Sequence, residues 1–270
     1  MSRRSQLLER LNELSAGPKR SLGQNFLVAD HVIEKIIDAA SENSAQSLIE
    51  IGPGLGALTD ELKTLGPPLT LIELDAKFAA YWRERGLVVV EADALRVDWP
   101  KLLEAQPKPT RLVSNLPYQI AASLVIELSL VPETFGLDSM ILMFQKEVAQ
   151  RIAARESSEH YGLLSVITQV FWQVRTVSEA GPGDFHPPPR VASRMLGFQR
   201  RRPAALDAEQ AQDFLKFVKL AYSQRRKRLL KNLGEPEGAG AALESMGFDN
   251  NARIEQLSPE QVLALYRAIR

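Results

Sequence analysis

A regular alternation of short apolar runs and helical stretches starts at Ser47 and leaves this chain few possible folds. The segments between the runs, such as KFAAYWRERG (77–86) and IAASLVIELSLV (120–131), have the length and composition of helices. Strands that are apolar on both faces and alternate with helices are typical of a parallel sheet covered on both sides. We therefore predict an α/β fold with a doubly wound, mostly parallel sheet. The runs with the length of a strand are SLIEI (47–51), LTLIEL (69–74), LVVVEAD (87–93), RLVSN (111–115) and SMILMFQ (139–145).

The remainder of the chain divides at a change of composition. The segment 163–180 predicts a helix that runs into a strand, and RMLGFQRR (194–201) predicts the last strand, antiparallel and at the edge of the sheet. Helix-forming residues dominate after Pro203, and Ser258 followed by Pro259 has the pattern of a helix N-terminus. We expect two domains, a ligand-binding domain of residues 1–203 and a small helical domain of residues 204–270.

Several classes of chemistry are excluded by composition. The sequence has no cysteine, which excludes disulfides, cysteine-ligated zinc, iron–sulfur clusters and a cysteine nucleophile. His31, His160 and His186 lack the spacing of metal ligands, so no metal is expected. The charged N-terminus does not resemble a secretory signal, and no stretch has the roughly 18 apolar residues of a membrane span. A cytoplasmic protein is the expectation.

Charge is unevenly distributed along a chain whose formal net charge is zero. Residues 190–231 hold twelve Lys and Arg against three Asp and Glu, an excess of nine positive charges. A one-sided basic segment on a neutral protein indicates phosphate binding, whereas a solvated helix face usually mixes both signs.

A glycine-rich loop follows the first apolar run. Glu50 closes the run, and Gly52, Gly54 and Gly56 lead into the next helix. Glycines at such a turn let the backbone approach a ligand closely at a helix N-terminus. Gly52, Gly54 and Ala57 also satisfy the dinucleotide fingerprint G-x-G-x-x-A, so a nicotinamide cofactor is formally allowed.

Polar side chains end the next three strands as well. Glu73, Asp93 and Asn115 lie where the carboxyl ends of parallel strands meet, the usual ligand edge of a doubly wound sheet. Glu73 would hold ribose hydroxyls with either cofactor, and Asp93 is placed to accept from an adenine amine. Together with the acid and triple glycine of the loop, this register favours S-adenosylmethionine.

The tetrapeptide Asn115, Leu116, Pro117 and Tyr118 adds a candidate catalytic group. An exocyclic amine on a nucleobase is a poor nucleophile because its lone pair is delocalised into the ring. The Asn115 side-chain oxygen and the Leu116 carbonyl can accept its two N–H bonds, while Pro117 makes the turn rigid and Tyr118 stacks on the base. The alternative is a strand that ends in an Asn-Pro turn beside a core tyrosine.

These motifs, in this order, resemble those of the small-subunit ribosomal RNA adenine N6,N6-dimethyltransferases over nearly the whole chain. The matching segments are KRSLGQNFL (19–27), EIGPGLG (50–56), IELD (72–75), DAL (93–95), NLPY (115–118), FQKEVAQRI (144–152), FHPPPRVAS (185–193) and AYSQRRKRLLKNL (221–233). The resemblance implies a class I, Rossmann-like methyltransferase fold and transfer of methyl groups from S-adenosylmethionine to N6 of two adjacent adenines near the 3′ end of small-subunit ribosomal RNA. It also implies a role in small-subunit maturation.

The resemblance assigns expected roles to individual residues. Residues expected to contact the cofactor are Asn25, Leu27, Gly52, Gly54, Glu73, Asp93 and Asn115. Residues expected to form the catalytic site are Asn115, Leu116, Pro117, Tyr118 and Phe185. Phe185 begins a rigid, exposed segment and is expected to close the second face of the base; the alternative is a buried aromatic of an edge strand. Residues expected to grip RNA phosphates are Arg190, Arg225, Arg226, Lys227, Arg228 and Lys231, the last five on a basic helix. Arg190 stands where the family usually has Lys, which keeps a phosphate contact and changes its geometry.

The implied partner is small-subunit ribosomal RNA or a pre-assembled small subunit, bound by a monomer. Three other functions stay open at this point: an adenine methyltransferase of large-subunit RNA, an RNA-binding assembly factor without catalysis, and a nicotinamide oxidoreductase. The last lacks a hydride-transfer pair such as Tyr-x-x-x-Lys.

Overall fold

Strands of the predicted α/β pattern form two sheets in this computed structural model, which describes residues 2–14, 17–18 and 24–270. The strands in this part of the chain are β1 (Phe26–Leu27), β2 (Ser47–Ile51), β3 (Leu69–Glu73), β4 (Val88–Glu91), β5 (Thr110–Asn115), β6 (Leu137–Gln145), β7 (Trp172–Ala180), β8 (Phe185–His186) and β9 (Ser193–Arg200). The α-helices are α1 (Arg3–Glu13), α2 (Asp30–Ser41), α3 (Thr59–Leu62), α4 (Ala76–Glu84), α5 (Trp99–Glu104), α6 (Ala121–Leu130), α7 (Lys146–Ile152), α8 (Leu163–Phe171), α9 (Ala208–Ala221), α10 (Leu229–Leu233), α11 (Ala239–Ser245) and α12 (Pro259–Ala268).

The main sheet has seven strands in the order β4-β3-β2-β5-β6-β9-β7. Strands β2 to β6 are mutually parallel, and β9 is antiparallel to both of its neighbours. The doubly wound, mostly parallel sheet is therefore confirmed. The strand order reverses between β2 and β5, so a crevice opens at their carboxyl ends, where such folds bind ligands.

Apolar side chains cover both faces of this sheet. On one face, α2, α3 and α4 contribute a cluster that includes Ile33, Leu62 and Trp82. On the other face, α5, α6 and α8 contribute residues such as Leu103 and Leu124 to a larger cluster. Burial on both faces explains why β2 and β3 are apolar throughout rather than alternating.

One expectation about the sheet is wrong. β9 does not lie at the edge, since it pairs with β6 on one side and β7 on the other. β7 takes the edge because it alternates buried and exposed residues, whereas β9 is buried along most of its length. Met195, Leu196 and Phe198 of β9 thus belong to the core.

The helices after residue 203 pack on α8 through apolar side chains. Phe214, Phe217 and Tyr266 form an aromatic cluster that is continuous with the core beside α6 and α8. Ser258 caps α12 by accepting from the Gln261 amide, and Pro259 is its first residue, as expected. A domain division at residue 203 stays a prediction, because the two segments share one hydrophobic cluster.

The expectation of a continuous basic helix over residues 221–233 is wrong. α9 ends at Ala221 and α10 begins at Leu229, so Arg225 to Arg228 lie in the turn that joins them. The Asn232 amide stabilises this turn by donating to the carbonyls of Ala221 and Gln224, at 2.7 and 3.1 Å. None of the helices in the described residues is long and apolar enough to cross a membrane.

Candidate cofactor and base-binding site

A pocket lies at the carboxyl ends of β2, β3 and β5, where the strand order reverses. It is lined by ten of the residues that the sequence analysis singled out: Asn25, Leu27, Gly52, Gly54, Glu73, Asp93, Asn115, Leu116, Pro117 and Tyr118. The first five residues of the KRSLGQNFL motif lie outside the described residues, whereas Gln24 and Asn25 line the pocket. Segments far apart in sequence therefore meet around one cavity.

The glycine loop forms the floor of this pocket with a backbone that other residues rarely adopt. Gly52 and Gly54 have φ angles of +63° and +51°. A Cβ atom added to Gly54 would lie 2.9 Å from the Phe26 ring, and one added to Gly52 would lie 3.7 Å from the Pro117 ring. The turn thus needs glycine at position 54 for both its conformation and its close contact with β1.

Two carboxylates face the pocket from the ends of β3 and β4. Buried Glu73 accepts hydrogen bonds from the amides of Gly54, at 3.2 Å, and Asp75, at 2.8 Å. Burial raises the pKa of Glu73, although these two backbone hydrogen bonds act in the opposite direction. Asp93 accepts from the Leu95 amide at 3.0 Å and caps the short 3₁₀ turn that follows β4.

Glu50 lines the same pocket, although the sequence analysis placed it only at the head of the loop. Its side chain is 2% exposed and accepts from the Thr59 hydroxyl at 2.7 Å. Burial is the main cause that raises the pKa of Glu50 to about 8, and the nearby Glu73 and Asp60 carboxylates raise it further. The signal available in the sequence was an acidic residue within an apolar run, directly before the glycine loop.

The orientation of the Asn115 amide is determined by its partner. Asn115 Nδ2 donates to the backbone carbonyl of Asn25 at 3.2 Å. Because a carbonyl only accepts, the NH₂ group must face Asn25, and the side-chain oxygen is left on the other branch of the amide. Asn115 ends β5 and is partly exposed, while Leu116 beside it is 2% exposed.

Tyr118 is half-buried, and its ring is held by a hydrogen bond at its far end. Its hydroxyl lies 2.5 Å from Ser193 Oγ. Ser193 is fully buried and pairs with Gln145 of β6 and Ala180 of β7, so its position is determined by the sheet. Burial raises the pKa of Tyr118, and the hydrogen bond with Ser193 acts in the opposite direction. In the sequence, Ser193 stands out only as the last residue of the motif FHPPPRVAS, and its contact with Tyr118 was not predicted.

The expectation of an exposed Phe185 is wrong. Phe185 lies in β8, pairs with Leu27 of β1 and is 3% exposed. Its ring belongs to the core cluster that contains Val113 and Met195. Phe185 is not among the described residues that line the pocket, so a contact of its ring with the base is not proposed. The prolines that follow place the loop at the surface, while the phenylalanine before them packs inward.

All six expected RNA contacts are exposed, and they fall into two groups. Arg190 lies in the loop between β8 and β9, three residues before Ser193. The other five lie in the turn and helix of residues 225–231. Arg225 pairs with Glu255 at 2.7 Å, whereas no ion pair holds Arg226, Lys227, Arg228 or Lys231 within the described part of the chain.

The residues of the pocket fit S-adenosylmethionine. The glycine loop lines the pocket with backbone that carries no side chain, so a ligand can approach that backbone closely. The side-chain oxygens of Glu50, Glu73 and Asp93 can accept from the hydroxyl and amine donors of such a cofactor. Ile72 and Leu74 offer apolar surface beside them. Leu74 lines the pocket and is 54% exposed, so its side chain offers apolar surface that a bound ligand would cover.

Comparisons with known proteins agree with this geometry. The chain is 50% identical to the ribosomal RNA small subunit methyltransferase A of Bdellovibrio bacteriovorus, over 99% of this chain and 98% of that protein. The protein of the same name from Natranaerobius thermophilus is 35% identical, over 98% and 95% of the two chains.

Solved structures show the same fold. A dimethyladenosine transferase from Plasmodium falciparum matches with a TM-score of 0.74 and 23% identity, over 89% of this chain and 95% of that one. The 23S rRNA methyltransferase ErmE matches with a TM-score of 0.68 and 26% identity, over 91% and 99%. The sequence model of the family described as "Ribosomal RNA adenine dimethylase" matches residues 17–270. This chain therefore belongs to the ribosomal RNA adenine dimethylase family.

Proposed function

We propose that this protein transfers methyl groups from S-adenosylmethionine to N6 of two adjacent adenines near the 3′ end of small-subunit ribosomal RNA, and so acts in small-subunit maturation. The observation that carries the proposal is the Asn115 amide, which donates to the Asn25 carbonyl and thereby keeps its oxygen available as an acceptor. The 50% identity to a small-subunit methyltransferase over nearly the whole chain supports the choice of subunit.

The chain's own residues act mainly by accepting hydrogen bonds and aligning the base. Asn115 Oδ1 accepts one hydrogen of the adenine amine, and the Leu116 carbonyl accepts the other. This pairing localises the lone pair on nitrogen. When bound, S-adenosylmethionine would supply a sulfonium methyl group: the amine nitrogen attacks the methyl carbon in line with the C–S bond, the C–N bond forms as the C–S bond breaks, and S-adenosylhomocysteine is the leaving group. The methylated amine is cationic and strongly acidic, so it loses its proton without a dedicated general base, and alignment supplies most of the catalysis.

Tyr118 binds the flipped adenine by stacking. Taking a base out of its stack costs a few kcal/mol, and stacking on an aromatic ring returns about 1–3 kcal/mol. The ring can do this without adjustment because Ser193 already holds its hydroxyl at 2.5 Å. Pro117 packs near Gly52, which joins the base-binding turn to the glycine loop.

Arg190, Arg226, Lys227, Arg228 and Lys231 bind RNA phosphates in this proposal, and Arg225 supports the turn by its ion pair with Glu255. The protein acts as a monomer in the cytoplasm on RNA within a pre-assembled small subunit. The residues proposed to contact the cofactor are Asn25, Leu27, Gly52, Gly54, Glu73, Asp93 and Asn115.

Mass spectrometry of ribosomal nucleosides tests this function. Small ribosomal particles that lack the modification are incubated with the protein and S-adenosylmethionine carrying a labelled methyl group. We expect labelled N6,N6-dimethyladenosine with the native protein. Asn115→Ala and Tyr118→Ala should each nearly abolish turnover while leaving RNA affinity largely intact, because the basic residues that contact phosphates supply most of the binding.

Large ribosomal particles serve as the second substrate, since the structural match to a 23S rRNA methyltransferase favours that alternative. Label in large-subunit RNA alone would assign the protein to that reaction. Binding of small particles without any methylated adenine would leave an assembly factor without catalysis as the function.

A further inference from the structure

The N-terminal helix α1 lies outside the region that the family's sequence model matches, which starts at residue 17. It is nevertheless packed against the cofactor pocket. Leu7 and Leu11, on one face of α1, are 7% and 5% exposed and belong to a cluster with Phe26, Leu55 and Phe78. Leu8 on the other face is 41% exposed. The helix is therefore amphipathic, and its apolar face packs against the glycine loop.

Polar contacts join α1 to the same loop. Arg10 Nη1 donates to the carbonyl of Leu55 at 2.5 Å, and Arg10 Nη2 lies 2.7 Å from Asp60 Oδ2. Arg3 adds a hydrogen bond to Glu61 at 2.5 Å and an ion pair with Asp30. Asp60 and Glu61 belong to α3, the helix that follows the glycine loop. The contacts of α1 therefore extend from the glycine loop to α3.

The third glycine of the loop makes the approach of Arg10 possible. A Cβ atom on Gly56 would lie 3.0 Å from Arg10 Nη1 and 2.6 Å from the Trp82 ring. The absence of a side chain at position 56 thus leaves room for the guanidinium group of Arg10.

Leu7 extends this packing into the pocket itself. Its side chain lines the cavity together with Asn25, Gly54 and Leu55. We propose that α1 is a wall of the S-adenosylmethionine site, with Leu7 a cofactor-binding residue and Arg10 the residue that positions it on the glycine loop. This inference rests on the proposed cofactor site and adds to it a segment outside the residues that the family's model matches.

The physical reason is mutual stabilisation. An isolated helix of eleven residues is marginal in water, so α1 depends on its contacts with the loop. A cofactor that packs against Leu7 buries apolar surface of both partners. Binding of the cofactor therefore also stabilises the packed position of α1. Loss of the wall should therefore weaken cofactor binding without touching the residues that bind the base.

Calorimetric titration of the full chain with S-adenosylmethionine, in the absence of RNA, tests the proposal. Leu7→Ala should raise the Kd about tenfold, which corresponds to about 1.4 kcal/mol. Arg10→Gln should raise it in the same direction through displacement of the helix. Leu8→Ala is the matched control, one residue along the same helix and facing solvent, and its Kd should equal that of the native protein.

Limited trypsin digestion gives a second readout. Cleavage after Arg10 requires α1 to leave the loop, so S-adenosylmethionine should slow it in the native protein and less in Leu7→Ala. Equal affinities of Leu7→Ala, Arg10→Gln and Leu8→Ala would overturn the inference while leaving the function intact. If Leu7→Ala does not fold, Arg10→Gln alone decides. A native protein that binds no S-adenosylmethionine would instead contradict the proposed function.

Discussion

At the scale of single residues, one hydrogen bond orients each of the two side chains proposed to contact the base. Asn115 is oriented by the Asn25 carbonyl, and Tyr118 by Ser193. Each partner comes from a segment distant in sequence, so each orientation depends on the assembled fold. Enzymes lose rate when such a positioning contact is removed, since a small displacement of an aligned group has a large effect.

Ser193→Ala tests the positioning of Tyr118. The substitution leaves the ring without its hydrogen bond, and we expect kcat to fall about tenfold while KM for the ribosomal particle changes little. Ser193→Thr keeps a hydroxyl and should restore most of the rate. Ser178→Ala, another buried serine on the neighbouring strand β7, is the control and should have native kinetics. Equal loss of rate in Ser178→Ala and Ser193→Ala would indicate a general packing defect.

Glu50 provides a pH dependence of stability. Its folded-state pKa of about 8 lies above the value of the unfolded chain, so the unfolded state loses its proton first as pH rises. The contribution of this group is complete below about pH 4.5 and declines as pH rises toward 8. Glu50→Gln should remove this decline, so that its thermal midpoint exceeds that of the native protein more at pH 8 than at pH 5. A constant difference across this range would contradict the assignment.

The glycine loop is the element on which the pocket depends. Gly54→Ala places a Cβ atom 2.9 Å from Phe26 at a positive φ angle. We expect a loss of about 1–3 kcal/mol in the free energy of unfolding from the backbone conformation alone, together with weaker S-adenosylmethionine binding as β1 is displaced. Chemical denaturation and calorimetric titration measure the two effects. Gly183→Ala is the control, because nothing lies within 4 Å of its added Cβ atom. Similar effects of both substitutions would contradict this account.

Charge segregation is a property of the whole molecule. The formal net charge is zero, and several arginines of the basic segment are paired internally, such as Arg194 with Glu179 and Arg202 with Asp138. The charge proposed to bind phosphates is therefore concentrated in fewer residues than the composition indicates. Those without an ion pair in the described residues include Arg226 and Lys227.

Charge reversal tests this distribution. Arg226→Glu and Lys227→Glu should each weaken binding of small ribosomal particles and reduce the salt dependence of binding by about one phosphate contact or more. Lys35→Glu makes the same charge change at an exposed position of α2 and should leave the affinity and its salt dependence unchanged. A uniform loss of affinity in all three variants would show that net charge alone matters. Binding assays over a range of salt concentration provide the measurement.

The shared core gives a prediction about folding of the whole chain. Phe214 and Tyr266 of the C-terminal helices pack in one cluster with α8, so unfolding of either segment exposes the other. Differential scanning calorimetry should show a single cooperative transition for the full chain. Two separated transitions would instead support independent domains that meet at residue 203.

What could be predicted from the amino-acid order alone follows from local patterns. Apolar runs with the length of a strand predicted the positions of β2 to β6. Because parallel strands end at one edge of a sheet, Glu73, Asp93 and Asn115 could also be placed beside the glycine loop. The helix-to-strand change near residue 171 and the N-cap at Ser258 were equally local.

Contacts between distant segments were decided only by the tertiary structure. The burial of Phe185 depends on pairing with β1, and the central position of β9 depends on β7 taking the edge. The bond between Tyr118 and Ser193 joins residues 75 positions apart, and the packing of α1 on the glycine loop joins residues 45 positions apart. Local periodicity reports which face of an element is apolar; it carries no information on which distant element will cover that face, because this is settled by packing of the whole core.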